Sequence, residues 1–261
     1  MIVQDHDGIS LYKFSLFSRQ TKIIHAVTSR MSKKEGNIFS MSLKDSYGIE
    51  NRKKICNLLS LPIENLVLSR QVHGKHITLV TAQDRGRGNL SYDTAIPSSD
   101  AMITKEVDTP LVSLSGDCPI LGFFDPVQKA IGLAHAGWRG TALEIAFHTI
   151  QAMRKEFQSN PNDILAAIAP SIGPCCYKVQ EEVLEKVKNL SWGKKTIQKR
   201  EGFYYLDLWL ANTEQLLSAG LKAENIECSK ICTACHLDKF FSYRIEGANS
   251  GRCAFILSLC E

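Results

Sequence analysis

Three residues in this sequence combine metal-ligating side chains with turns suited to holding them. His73 sits in Gln71-Val72-His73-Gly74, Cys118 in Ser115-Gly116-Asp117-Cys118-Pro119, and His135 in Leu133-Ala134-His135-Ala136-Gly137-Trp138-Arg139-Gly140. Each segment adjoins an apolar run that reads as a strand. Each contains glycine, which lets the backbone bend sharply and approach a ligand closely. Imidazole and thiolate suit zinc, and two His with one Cys leave the fourth tetrahedral position open, as in catalytic rather than structural sites. The same residues admit a second chemistry, with Cys118 as nucleophile and His135 or His73 as its base, acting on an amide. Spacing alone does not decide, because three separate loops form no regular metal motif. Taken singly, each residue also reads as a buried thiol or a hydrogen-bonded core histidine.

Beside His135, the turn Gly137-Trp138-Arg139-Gly140-Thr141 feeds a helix predicted to begin at Thr141. Free N–H groups at a helix start attract anions, and Arg139 can hold phosphate or carboxylate through two parallel hydrogen bonds. A helix cap at Thr141 and a structural ion pair at Arg139 would account for the same residues. Asp117 can steer a histidine or accept a substrate proton, or it can be an ordinary turn aspartate. Cys232-Thr233-Ala234-Cys235-His236 matches the pattern of covalent haem attachment. That chemistry goes with export, whereas the N-terminal residues carry acids where a signal peptide needs basic ones, and no apolar stretch follows. A lone Cys-x-x-Cys also lacks the second pair of a structural zinc site. The pattern is therefore read as accidental, and Cys175 and Cys176 are assigned to a cysteine-tolerant interior.

The elements that must position these groups are short. Strands are expected over 66–68, 76–81, 101–104, 111–115, 120–124, 130–135, 164–168, 226–229, 240–244 and 253–259, most of them β-branched or aromatic and bounded by Gly, Pro, Asp or Ser. Helical periodicity marks 52–60, 141–157, 180–190 and 208–219, the last closed by Gly220. Strands and helices mix without strict alternation, which predicts an α+β fold on mixed sheets. The 261 residues are 44% hydrophobic and contain no linker-like tract, so residues 1–261 are expected to form a single domain.

A net charge of +4 is too mild to imply nucleic-acid binding. The basic clusters Arg52-Lys53-Lys54, Lys194-Lys195 and Lys199-Arg200 read as solvated faces. No stretch is long and apolar enough to span a bilayer, so no membrane partner and a cytoplasmic location are expected. The nine cysteines are an odd number, which favours reduced thiols over a disulfide framework.

Taken together, these blocks resemble the YfiH family, also called the laccase-domain or multicopper polyphenol oxidase family. The similar segments include Gln71-Val72-His73-Gly74, Asp100-Ala101, Asp117-Cys118-Pro119, His135-Ala136-Gly137-Trp138-Arg139-Gly140, Pro170-Ser171-Ile172-Gly173-Pro174, Asp207, Phe241-Ser242-Tyr243-Arg244 and Gly251-Arg252. The resemblance implies an α/β/β/α sandwich with His73, Cys118 and His135 as zinc ligands. It also implies purine nucleoside chemistry: phosphorolysis of adenosine, inosine and methylthioadenosine, and adenosine deamination. On this resemblance Arg30, Asp117 and Arg139 are expected to bind substrate, a purine nucleoside with phosphate. Thr28-Ser29-Arg30 is followed by Met31-Ser32-Lys33-Lys34 where the family usually has paired glycines, and Ser42-Leu43 by Lys44 where it has asparagine, so a covering loop would alter substrate preference. The family has also been linked to editing peptidoglycan precursors, which would suit the amide-cleaving thiol. Copper is less favoured than zinc, because multicopper sites need more ligating histidines than the 7 present and no blue-copper arrangement is visible.

Overall fold

The computed structural model describes residues 1–6, 8–32 and 38–261. Lys33 and Lys34, expected to contribute to a divergent loop, lie outside the described residues. Two six-stranded sheets dominate. The first runs in the order Ile2–His6, Ile9–Lys13, Ile23–Ser32, Cys253–Leu259, Leu111–Ser115, Val67–Leu68, antiparallel except at its last pair. The second runs Ile226–Cys228, Leu165–Ile168, Ile120–Asp125, Ala130–His135, Ala101–Thr104, Ile77–Leu79, with parallel pairs only at its two edges.

Alternation along the strands builds the layers. Phe255 and Leu257 face inward onto Ile120, Phe124, Ile131 and Leu133 of the second sheet. Ala254 and Ile256 point outward, onto Ile55, Cys56 and Leu59 of helix Gly48–Leu59. In the second sheet, Leu121 and Phe123 turn outward onto Ile145, Ile150 and Met153 of helix Ile145–Phe157 and Leu216 of helix Leu208–Ser218. A period of two thus puts alternate residues into different apolar layers, giving the α/β/β/α order. The sheets approach closely at Gly122, where a Cβ would stand 2.6 Å from the Phe255 ring. A small three-stranded sheet, Lys178–Val179, Phe203–Leu206 and Ile197–Arg200, packs with helix Glu181–Val187 around Trp192.

Three expectations are corrected. The helix expected over 141–157 is two helices, Trp138–Ala142 and Ile145–Phe157, separated by Glu144 at φ 58°. The side chain of Gln215 takes the Thr141 carbonyl at 2.8 Å, and a third-residue contact from the Glu144 N–H closes the first helix tightly. Residues 240–244 are not a strand. Phe240 and Phe241 are buried and helix Tyr243–Glu246 follows, so their aromatic character reports burial. Arg52 is not on a solvated face: it is buried and donates to the carbonyls of Met41, Gly88 and Asn89.

Candidate metal centre

The second sheet delivers His135 and Cys118 to the same end. Strands Ile120–Asp125 and Ala130–His135 pair with Ile120 opposite His135, and the Ala136 N–H donates to the Pro119 carbonyl at 2.8 Å. Cys118 is therefore fixed beside His135 by backbone register. It stands where the chain crosses from the first sheet, at Ser115, to the second, at Ile120. His73 lies in the turn before Ile77–Leu79, at φ 61°. One ligand atom from each of His73, Cys118 and His135 falls within 4.8 Å of the other two. The imidazole rings meet edge to face at 4.8 Å between centroids.

The residue that assembles this cluster is Asp100, just before strand Ala101–Thr104. Its buried carboxylate accepts from the N–H groups of Val72, His73 and Gly74 at 3.2, 2.9 and 2.7 Å. Its Oδ1 also takes His135 Nδ1 at 3.0 Å. One carboxylate thus shapes the turn that presents His73 and orients the ring of His135, leaving Nε2 for the cluster. Burial alone would raise the Asp100 pKa, but the bonds from His135, Gly74 and Val72 bring it below the usual carboxylate value. Asp100 appeared in the sequence only as part of a matching block. The only signal in the sequence was its place immediately before the apolar run Ala101–Thr104, and the pairing of that strand with Ala130–His135 is what gives the position its meaning.

Electrostatics favour a thiolate here. Burial would raise the Cys118 pKa, yet the charges and hydrogen bonds of His135 and His73 bring it down to about 6. His135 is raised to about 9, because Cys118 and Asp100 outweigh the burial that disfavours its cation. Gly137 closes the cluster from below: a Cβ there would lie 2.9 Å from Cys118 Sγ and 3.0 Å from His73 Cδ2. Exposure grades from buried His135 through half-buried Cys118 to exposed His73, so the cluster opens on its His73 side.

The other expected residues divide. Asp117 does not steer a histidine, which corrects that expectation. Its oxygens accept from Thr233 Oγ1 at 2.6 Å, Ser242 Oγ at 3.1 Å and the Arg244 N–H at 2.6 Å, anchoring the crossover that carries Cys118. Arg30 pairs with Glu246 at 2.9 Å and lies over the Phe241 ring. Arg139 is exposed, stacks over Trp138 and approaches Glu182 at 3.7 Å. The helix beginning at Trp138, rather than Thr141, has Gly137 as its cap, and Thr141 is buried within it, donating through Oγ1 to the Ala136 carbonyl. Tyr177, which sequence reasoning missed, is buried among these groups. Burial and the nearby Cys118 raise its pKa, while Arg244 and Arg139 partly offset the rise.

A mixed-sheet sandwich bringing two imidazoles and a thiol within 4.8 Å of one another defines a class, that of proteins with a candidate metal centre open on one side. The chain belongs to the family described as multi-copper polyphenol oxidoreductase laccase, whose sequence model matches residues 30–260. It is 40% identical to the purine nucleoside phosphorylase YlmD of Geobacillus stearothermophilus over 78% of this chain and 76% of that protein. It is 30% identical to adenosine deaminase RL5 of an unknown prokaryote over 78% of this chain and 79% of that protein. The structure of hypothetical protein YfiH from Bacillus licheniformis superposes with a TM-score of 0.90 at 32% identity, covering 98% of each chain. No helix among the described residues is long and apolar enough to cross a membrane.

Proposed function

We propose that this chain is a zinc-dependent purine nucleoside enzyme, cleaving nucleosides with phosphate and deaminating adenosine, with His73, Cys118 and His135 as both metal ligands and reaction centre. The observation that carries the reading is the cluster itself: three soft-to-borderline donors within 4.8 Å, two of them organised by one buried carboxylate. The donor set fits zinc. It supplies two neutral-capable imidazoles and a thiol already inclined to ionise, with Gly137 keeping the space clear. An ion held there supplies Lewis acidity and activates water near neutral pH.

The chain's own groups do the rest. Asp100 fixes the orientation of the His135 ring and the His73 turn, so the donors are already placed for an ion once His135 gives up the proton facing the cluster. Exposed Arg139, and Arg244 lying 5.2 Å over the Tyr177 ring, are the cations assigned to the phosphate. In phosphorolysis a phosphate oxygen bonds to the ribose carbon as the bond to the purine nitrogen breaks. In deamination water adds at the carbon bearing the amino group and ammonia leaves. Copper oxidase chemistry has less support: among the described residues one cluster combines histidines with a thiol, and it has two histidines.

The low pKa of Cys118 beside His135 is also what a thiol hydrolase would use. Alkylation separates the two. As a zinc ligand Cys118 is expected to label slowly until a chelator is added, with adenosine phosphorolysis lost on chelation and restored by zinc. Fast labelling in fully metallated protein, with activity indifferent to chelator, would remove the metal reading.

A further inference from the structure

The haem-like motif does not stand alone. Cys175 and Cys176 meet Cys232 and Cys235, all four sulfurs lying within 4.8 Å of one another. This supplies the second pair that the sequence lacked, and it is no cysteine-tolerant interior: Cys175 and Cys235 are exposed, Cys176 is half-buried and Cys232 is buried. We propose that these four cysteines form a second metal site, a closed tetrathiolate zinc site, distinct from the His73–Cys118–His135 centre.

The spacing of the sulfurs selects a shared ion over a bond between them. Cys235 Sγ lies 3.4 Å from Cys176 Sγ and 3.6 Å from Cys175 Sγ. A disulfide needs about 2.05 Å. Zinc–sulfur bonds of about 2.3 Å in a tetrahedron place sulfurs about 3.8 Å apart. Four thiolates around one point are the donor set of zinc or a single iron, and they close the coordination sphere, so the site is structural.

The surrounding backbone is shaped for this. Cys232-x-x-Cys235 wraps through a single tight turn, Thr233–Cys235. Cys176 and Tyr177 both donate through N–H to the Gly173 carbonyl, folding Cys175 and Cys176 back on the same side. The Gly173 N–H donates to Cys232 Sγ at 3.2 Å, a bond that stabilises a thiolate. Gly173 has no room for a side chain, since a Cβ would stand 2.6 Å from Trp209. The guanidinium of Arg200 holds the Pro174 carbonyl next to Cys175, placing a cation beside a site whose net charge with zinc is negative.

The site positions Cys118. Its two segments are the ones that hold the crossover: Thr233 Oγ1 donates to Asp117 Oδ1 at 2.6 Å, and the Ile172 N–H donates to the Asp117 carbonyl at 2.8 Å. An ion joining 175–176 to 232–235 therefore braces Asp117 from both sides, one residue from Cys118.

Native mass spectrometry of protein purified without chelator is expected to find two zinc ions per chain. Cys175→Ser with Cys235→Ser should leave one, and His73→Ala with His135→Ala should also leave one, so either site can fail without the other. Alkylation mapping of the unmutated chain covers the case in which a variant does not fold. Exposed Cys175 and Cys235 should resist iodoacetamide until chelator is added. Cobalt loaded into the His73→Ala, His135→Ala chain should give the intense sulfur-to-metal charge-transfer bands of four thiolates. Rapid labelling of Cys175 and Cys235 in zinc-replete protein, a disulfide among the four, or iron in place of zinc would overturn the assignment.

Discussion

The two clusters differ in the donors they hold and in how they are held. The His73–Cys118–His135 cluster has three donors, grades from buried to exposed, and depends on a carboxylate that ligates nothing. The four-cysteine cluster has four donors and relies on backbone turns rather than a side-chain carboxylate. Three donors leave a position for chemistry and need a supporting residue to fix them. Four donors complete the sphere and need only a loop that folds back. The difference predicts that the first cluster governs turnover and the second governs rigidity.

The sharpest break of that comparison is His135→Ala against Cys235→Ser. The first removes a ligand at the open centre, and losing the several kcal/mol a metal supplies corresponds to about 10³-fold or more in kcat/KM. The second is expected to lower the melting temperature while keeping activity within about tenfold, as for a structural change that shifts geometry only slightly. Equal losses of activity would mean that both clusters serve the reaction directly. Next comes Asp100→Asn. The amide keeps the size but loses the charge that organises His135 and the 72–74 turn, and metal affinity should drop about 10- to 100-fold, read by competition with a chelator. An unchanged affinity would show that the turn holds His73 without it.

The pH dependence of metal uptake at the open centre follows from the two shifted groups. With Cys118 at about 6 and His135 at about 9, the metal-free chain at neutral pH carries a thiolate beside an imidazolium. Ligation requires His135 to lose its proton, so between those values affinity should weaken about tenfold per unit fall in pH. Below about 6 Cys118 must lose a proton too, and the slope should steepen. Above about 9 it should flatten. Titrating the Cys235→Ser chain isolates this site, and a flat profile through neutrality would mean that the Cys118–His135 pair is not the ligand pair. The smallest effect belongs to Arg139, which is exposed and shared with Trp138 and Glu182. Arg139→Ala should weaken phosphorolysis several-fold through the KM for phosphate and leave deamination unchanged. Equal loss in both reactions would make Arg139 structural.

Much of the fold was readable where burial is simple. Strands Ala101–Thr104, Leu111–Ser115, Ala130–His135 and Cys253–Leu259 match expectation to the residue, being nearly continuous apolar runs between turn residues. The strand Ile2–His6 was missed because an edge strand that is mostly exposed, Ile-Val-Gln-Asp-His, needs no apolar pattern, and its buried partner Ile9–Lys13 was missed with it. At the centre, residue type and turn context made the two histidines and the thiol candidates, the family resemblance named them together, and the structure brings them within 4.8 Å of one another. Asp100 was hidden because a turn aspartate is ordinary, and its role depends on which backbone groups arrive beside it. The four cysteines were hidden by distance, since Cys176 and Cys235 are 59 positions apart and no local motif joins them.

The position of strand Cys253–Leu259 sets an order of assembly. It lies in the middle of the first sheet, between Ile23–Ser32 and Leu111–Ser115, although it is the last of the described strands to be synthesised. The segments that brace Asp117, around Thr233, Ser242 and Arg244, also emerge late. On the ribosome, the early strands wait with an unfilled gap between them, and the crossover bearing Cys118 has nothing to fasten to. Non-local closure of this kind is slow. An ion taken up at the His73–Cys118–His135 cluster would therefore bind late, after the braces of the Cys118 crossover have formed.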